Sequence, residues 1–134
     1  MKNIKICVIG LGYVGLPVAV EFSKKYNTIC LTGDGGFNMN IQELQTLINY
    51  KVPVKTFILN NHIYGITKAF QKTNFQGREE ACGPKGYNPP DFIEIANAYK
   101  IKTFKINNND EIENVLDEIL NYKGPVVCDI NCHE

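Results

Sequence analysis

Charge of one sign is missing from this chain: fourteen basic and fourteen acidic residues cancel. With no basic field to draw in a phosphate backbone or an anionic surface, neither nucleic acid nor a membrane is an expected partner. Long hydrophobic runs are missing as well. No stretch approaches the ~20 apolar residues that span a bilayer. The first ten residues, charged at Lys2 and Lys5 and followed by breaks at Gly10 and Gly12, lack the apolar core of a secretory signal. A paired cysteine framework is missing too. Cys7, Cys30, Cys82, Cys128 and Cys132 are odd in number, and Cys7, Cys30 and Cys128 sit inside apolar runs. The expectation is buried free thiols in a reducing compartment, the cytoplasm. No repeat or low-complexity tract interrupts the 134 residues, a length suited to one compact domain.

What is present alternates between short β-type runs and helical periods. Residues 4–9 are apolar and β-branched, and Gly10 stops them; Val14, Val18 and Phe22 then recur at helical spacing. Residues 28–31 form a second apolar run, closed by Thr32-Gly33-Asp34-Gly35-Gly36. Ile41, Leu44, Leu47 and Ile48 mark one face of a helix over 38–50, with Asn40 and Glu43 spaced as a capping box. A third strand is expected over 52–59, with Pro53 at its entrance. From 60 to 90 the periodicity fades among Gly77, Gly83, Pro84, Gly86, Pro89 and Pro90. A loop of that length in a compact domain reads as functional, such as a lid, with a short helix near 67–72. Asp91 and Glu94 then open a helix whose apolar side is Phe92, Ile95, Ala96 and Tyr99. A strand over 103–106 and a helix carrying Ile112, Val115, Leu116, Ile119 and Leu120 follow, and after Gly124-Pro125 a last strand over 126–130. Strands separated by helices of this length are βαβ units. The expected fold is α/β: a single three-layer domain with a parallel sheet of about five strands and helices on both faces.

Two oxygen-bearing side chains stand at matched points of that pattern. Gly33-Asp34-Gly35 follows one strand and Asn60-Asn61 the next. A helix over 38–50 advances about 20 Å at ~1.5 Å per residue. A strand over 54–59 returns about 20 Å at ~3.3 Å per residue. The chain therefore leaves one rim of the sheet at Asp34 and regains it at Asn61. This rim, at the carboxyl ends of parallel strands, is where open α/β sheets bind ligands. A carboxylate and an amide oxygen suit Mg²⁺, which commonly takes one or two protein ligands plus phosphate oxygens. Gly33, Gly35 and Gly36 let backbone N–H groups approach an anion, and the positive end of the following helix points at the same spot. Together they predict a Mg²⁺–diphosphate.

Gly33-Asp34-Gly35, then 24 intervening residues (36 to 59), then Asn60-Asn61 resembles the signature of thiamine-diphosphate-dependent enzymes. The text of residues 29–46, with 57–65 and 124–131, is similar to their acetolactate-synthase-like branch. The resemblance covers about 29–134. It implies a partial thiamine-diphosphate-binding domain of an enzyme that decarboxylates 2-keto acids and transfers carbon–carbon bonds, with thiamine diphosphate and Mg²⁺ as cofactors. Carried over by position, Asp34 and Asn61 give side-chain oxygens to the metal and Ile63 its backbone carbonyl. Gly35 and Gly36 lie against the diphosphate, Gly33, Tyr64 and Gly65 complete the cofactor site, and residues 64–70 line the substrate side below a closing loop. No residue is assigned a catalytic role. In that family the aminopyrimidine half and its activating glutamate come from a separate domain, usually across a subunit interface. The expected partner is such a pyrimidine-binding domain, on another chain or in a homo-oligomer, and the chain alone is expected to be inactive. Phe70 stands where acetolactate synthases usually carry a tryptophan facing the substrate, which leaves the particular substrate open.

The first segment reads differently. Gly10-Leu11-Gly12-Tyr13-Val14-Gly15 follows a strand and opens a helix, as in the dinucleotide-binding fingerprint. The text to about residue 27 resembles the start of UDP-glucose and UDP-N-acetylhexosamine dehydrogenases. The expected plan is a Rossmann-like βα start over 1–28 fused to a thiamine-diphosphate-binding domain over 29–134. Gly12-Tyr13-Val14-Gly15-Leu16-Pro17 then stands in for the Gly-Tyr-Gly-Leu-Pro-type turn of the second family. Asp34 lies near the place of a ribose-binding acid, yet cannot hold Mg²⁺ and a ribose at once. Two alternatives stay open: a small NAD- or nucleotide-binding Rossmann-type module using residues 10–15, and a non-functional gene fusion whose fold survives without ligand. Near the site, Asn60 is expected as a turn residue, His62 as a solvated loop residue, and Glu43 as a helix-start residue rather than the activating glutamate. Cys132-His133 lacks the spaced partners of a zinc site, and Arg78, Glu79 and Glu80 read as solvated charges.

Overall fold

The computed structural model describes residues 4–10, 12 and 14–133; Leu11 and Tyr13 of the glycine-rich turn lie outside the described residues. Five strands, β1 (Lys5–Ile9), β2 (Asn27–Gly33), β3 (Lys55–Asn60), β4 (Lys102–Ile106) and β5 (Val126–Asn131), form one sheet. Every pairing is parallel, in the order β1-β2-β3-β5-β4. The helices are α1 (Gly15–Ser23), α2 (Asp34–Asn38), α3 (Leu44–Asn49), α4 (Gly65–Asn74), α5 (Phe92–Ala98) and α6 (Ile112–Asn121). This is the α/β architecture that the alternating pattern predicts.

The handedness of parallel crossovers decides which face each helix covers. From β1 through β2 and β3 to β4 the chain steps across the sheet in one direction. The connecting α1, α2, α3 and α5 therefore share one face, and their Leu16, Ala19, Val20, Phe37, Leu44, Leu47, Phe92 and Ala96 make one core with Cys30, Ile58 and Val127. Only the return from β4 to β5 reverses, which puts α6 on the other face. There Ile119 closes a smaller core with Phe57, Ile106, Val126 and Cys128.

One helix cannot cover that whole face. Over β1 it is bare: Ile9 is 82% exposed and Cys7 is exposed. The expectation of a buried thiol at Cys7 is corrected on this ground, since an apolar run on an edge strand is buried only where a helix lies over it. Cys30, Cys82 and Cys128 are buried, and Cys132 is half-buried. Burial pushes the Cys30 and Cys128 thiols up to about 12, far from the thiolate form that reacts. Timed alkylation of the native protein at neutral pH, read by mass spectrometry, is expected to modify Cys7 first and Cys132 more slowly. Cys30, Cys82 and Cys128 should react only after unfolding; modification of Cys30 at the rate of Cys7 would contradict the packing.

Two helices differ from their expected form. α1 buries Leu16, Ala19, Val20 and Ser23, whereas Val14, Val18 and Phe22, whose spacing announces the helix, are exposed. The segment is apolar nearly all round, so periodicity does not choose a side. The small Ala19 and Ser23 do, because they let the helix approach the sheet closely. The single helix expected over 38–50 is broken. α2 begins at Asp34 itself, and a 3-10 turn at Ile41–Glu43 leads into α3. Two glycines weaken so short a helix. The capping box does not form: Asn40 Nδ2 donates to the Gly36 carbonyl at 3.3 Å, and Glu43 Oε2 accepts from Thr46 Oγ1 at 2.8 Å.

Candidate functional site

β2 and β3 are neighbours with Gly33 opposite Leu59, so the chain emerges at one rim both at Asp34 and at Asn61. Gly33 is extended, at φ −80° and ψ 161°, and the backbone turns into α2 at the next residue. That turn tucks Asp34 inward until it is 3% exposed. Its Oδ2 makes no hydrogen bond. A buried carboxylate oxygen without a donor costs on the order of 3 kcal/mol or more, so it marks a place where a positively charged group belongs.

The partner loop is built from two successive turns in which an asparagine side chain caps its own backbone. Asn60 Oδ1 accepts from the His62 N–H at 3.4 Å and Asn61 Oδ1 from the Ile63 N–H at 3.3 Å. His62 sits at φ 60° and is exposed, as a solvated loop residue would be. Asn60 is buried and holds the loop at its base. Its backbone carbonyl accepts from the Cys132 N–H at 2.9 Å. Burial pushes the Asp129 carboxyl up, opposed by Asn60, Lys105 and His62. Asn61 is half-buried, and an amide oxygen with one lone pair engaged keeps another for a cation.

A cavity of about 370 Å³ opens between these two elements. All eight residues singled out from the sequence line it: Gly33, Asp34, Gly35, Gly36, Asn61, Ile63, Tyr64 and Gly65. Leu59, Ile66 and Thr67 extend its wall towards α4, a helix with no buried residue and with Ile66 and Phe70 exposed, as is Phe75 just after it. Gly35 must be glycine here, because a Cβ would run into the Tyr64 ring.

Sequence reasoning missed Tyr87. It is buried at 6% exposure, and its ring stacks on Tyr64 with centroids 3.9 Å apart and 35° between planes. Burial first, and then the Asp34 carboxylate, push its phenol well above the usual range. The segment that carries it is not a loose loop. The Tyr64 N–H donates to the Cys82 carbonyl at 2.8 Å. Gln71 bonds the Glu80 backbone in both senses, at 3.0 and 2.8 Å, and accepts from Cys82 Sγ at 3.2 Å. Arg78, Glu79 and Glu80 are exposed, and the Arg78–Glu80 pair at 3.4 Å on the surface adds little. Among the described residues, no group of three His, Cys, Asp or Glu gathers as a metal site, and no helix is long and apolar enough to cross a membrane.

The family described as thiamine pyrophosphate enzyme, C-terminal TPP binding domain, matches residues 8–130. The chain belongs to that family. Acetolactate synthase large subunits are among its relatives. That of Pyropia yezoensis is 36% identical over 127 residues, covering 92% of this chain and 21% of the relative. The isozyme 2 large subunit of Escherichia coli is 35% identical over 130 residues, covering 93% and 23%. The solved thiamine diphosphate-dependent 4-hydroxybenzoylformate decarboxylase of Rhodococcus jostii RHA1 superposes with a TM-score of 0.75 at 29% identity. That superposition covers 89% of this chain and 23% of that one. The chain thus spans about a fifth of the length of the relatives it matches. The family match starts at residue 8 and takes in most of the glycine-rich opening segment.

Proposed function

We propose that this thiamine pyrophosphate-family domain binds the diphosphate of thiamine diphosphate through Mg²⁺. Asp34 and Asn61 give side-chain oxygens and Ile63 its backbone carbonyl to the metal, and the Gly35 and Gly36 backbone cradles the anion. The observation that carries this reading is the Asp34 Oδ2, buried without a donor, in a cavity that also takes in Asn61 and Ile63. One carboxylate, one amide and one carbonyl make too sparse a set to satisfy a cation alone, and suit one that brings phosphate oxygens with it. When bound, thiamine diphosphate would supply the centre at which a 2-keto acid loses carbon dioxide and the remaining fragment is passed to an acceptor. The chain anchors and orients that group: α2 aims Asp34, the Asn60–Asn61 turns aim Asn61, and the Tyr64–Tyr87 stack shields the carboxylate from water.

The aminopyrimidine end is left to a pyrimidine-binding domain on another chain or in a homo-oligomer, so turnover requires that partner, in the cytoplasm where free thiols persist. Residues 1–28, joined to 29–134, serve as a structural βα start. Gly10 adopts φ +88° and a Cβ on Gly15 would collide with the Gly10 carbonyl, so these glycines are explained by the turn they make. Calorimetric titration with thiamine diphosphate is expected to give saturable binding with Mg²⁺ and none after chelation. Absence of binding in both conditions would sink the reading, and saturable NADH binding instead would favour a nucleotide module.

A further inference from the structure

The diphosphate–metal site as read from the sequence stops at Gly65, yet the chain returns to it twenty-two residues later through Tyr87. Three observations bring that residue there. Its ring is stacked on Tyr64, and Tyr64 in turn lies against Gly35, the residue after Asp34. It is 6% exposed, held by its backbone N–H donating to the Gly83 carbonyl at 2.7 Å. And two buried polar atoms in this small region make no hydrogen bond: the Tyr87 hydroxyl and Asp34 Oδ2. A buried phenol without a partner is costly, and so is a buried carboxylate oxygen. The stack leaves the phenol little freedom except to turn its O–H.

We propose that Tyr87 is a positioning residue for Asp34. On loading of the site its O–H donates to one oxygen of the Asp34 carboxylate, fixing the plane of the group so that the other oxygen faces the metal. The proposal rests on the metal–diphosphate reading above and goes beyond it. It makes residues 75–91 part of the cofactor site rather than a cover over it, because the backbone that carries Tyr87 is the one strapped to α4 by Gln71 and to the metal loop by the Tyr64–Cys82 bond. Proper alignment of Asp34 and order in this segment then become one event. Tyr87 contributes no proton and touches no substrate, so it acts only through Asp34.

The test uses the full chain and Tyr87→Phe, which keeps the ring and its stack and removes only the oxygen. Calorimetry with thiamine diphosphate at saturating Mg²⁺ is expected to show affinity about tenfold weaker than wild type, the size of a hydrogen bond to a charged group. Ligand-free melting should stay within about 2 °C, since the phenol has no partner to lose before loading. Limited trypsin digestion supplies the second measurement, because Arg78 and Lys85 are exposed cleavage sites in the segment. Mg²⁺ with thiamine diphosphate should slow cleavage there in wild type, and markedly less in Tyr87→Phe at equal occupancy. Wild-type binding with undiminished affinity and undiminished protection in Tyr87→Phe overturns the role of Tyr87 alone. A large fall in ligand-free melting temperature overturns it as well, by making the phenol a structural group. No binding by wild type defeats the function reading and this inference together.

Discussion

Asp34→Ala is expected to abolish magnesium-dependent binding of thiamine diphosphate, by 100-fold or more, and at the same time to raise the melting temperature of the ligand-free protein. The two effects have opposite signs because one atom causes both. Asp34 is 3% exposed and its Oδ2 has no donor, so in the ligand-free state the carboxylate bears a desolvation cost that no hydrogen bond at that oxygen offsets. Removing it relieves that cost. Part of the gain is lost again, because an acidic residue at a helix N-terminus contributes roughly 0.3–1 kcal/mol. The net stabilisation should be about 1 kcal/mol, or ~4 °C for a domain of this length. With ligand the order reverses, since the metal loses its only charged protein donor among the three assigned. Asp34→Asn keeps the shape and separates charge from packing: it should stabilise the ligand-free protein about as much, yet still bind poorly. Calorimetry and thermal melting with and without Mg²⁺ and thiamine diphosphate read both halves. If ligand-free Asp34→Ala melted well below wild type, the carboxylate would be a structural partner and not one held for a cation.

The architecture was legible because β-branched runs and helical periods alternate along the chain on either side of residues 60–90, and parallel crossovers leave few topologies. The cavity lining was legible because Asp34 and Asn61 sit at the ends of adjacent strands, where register alone brings them to one rim. What escaped the sequence depends on contacts remote along the chain. Tyr87 reaches the site through stacking on Tyr64, with no spacing rule to announce it. Lys55, a charged residue within the strand expected over 52–59, is buried. Its Nζ donates to the Tyr122 and Gly124 carbonyls at 2.7 and 2.6 Å, tying the turn before β5, while burial pushes its ammonium down to about 8. The exposure of Cys7 follows from which face α6 covers, a fact about strand order and not about residues 4–9 themselves. The break between α2 and α3 escaped for a local reason: Gly35 and Gly36 lower helix propensity, but the apolar face of Ile41, Leu44, Leu47 and Ile48 suggests an unbroken period.

That break makes the second large prediction. α2 has five residues, too few to be stable as an isolated helix, and yet it is the element that aims Asp34. Its position therefore comes from packing. Phe37, three residues after Asp34, is 3% exposed and meets Phe92 edge to face, with centroids 5.2 Å apart and planes at 87°. Phe92 is fully buried at the start of α5, where Asp91 Oδ1 accepts from the Ile93 and Glu94 N–H groups at 2.9 and 3.0 Å. Phe92→Ala is expected to cost about 3–5 kcal/mol, the range for emptying a buried aromatic site. Against a total of roughly 5–15 kcal/mol for a domain, that is a fifth or more of the stability. It should appear as a fall of ~10–20 °C in melting temperature. Phe92→Leu fills much of the space without the edge-to-face contact, and should cost less than half as much. The decisive comparison is affinity measured well below both melting temperatures. If Phe37–Phe92 packing is what aims Asp34, Phe92→Ala that is still folded binds Mg²⁺–thiamine diphosphate several-fold more weakly, although Phe92 does not line the cavity. Undiminished affinity in that folded variant would mean the rim of the sheet holds Asp34 without help from the core beneath it.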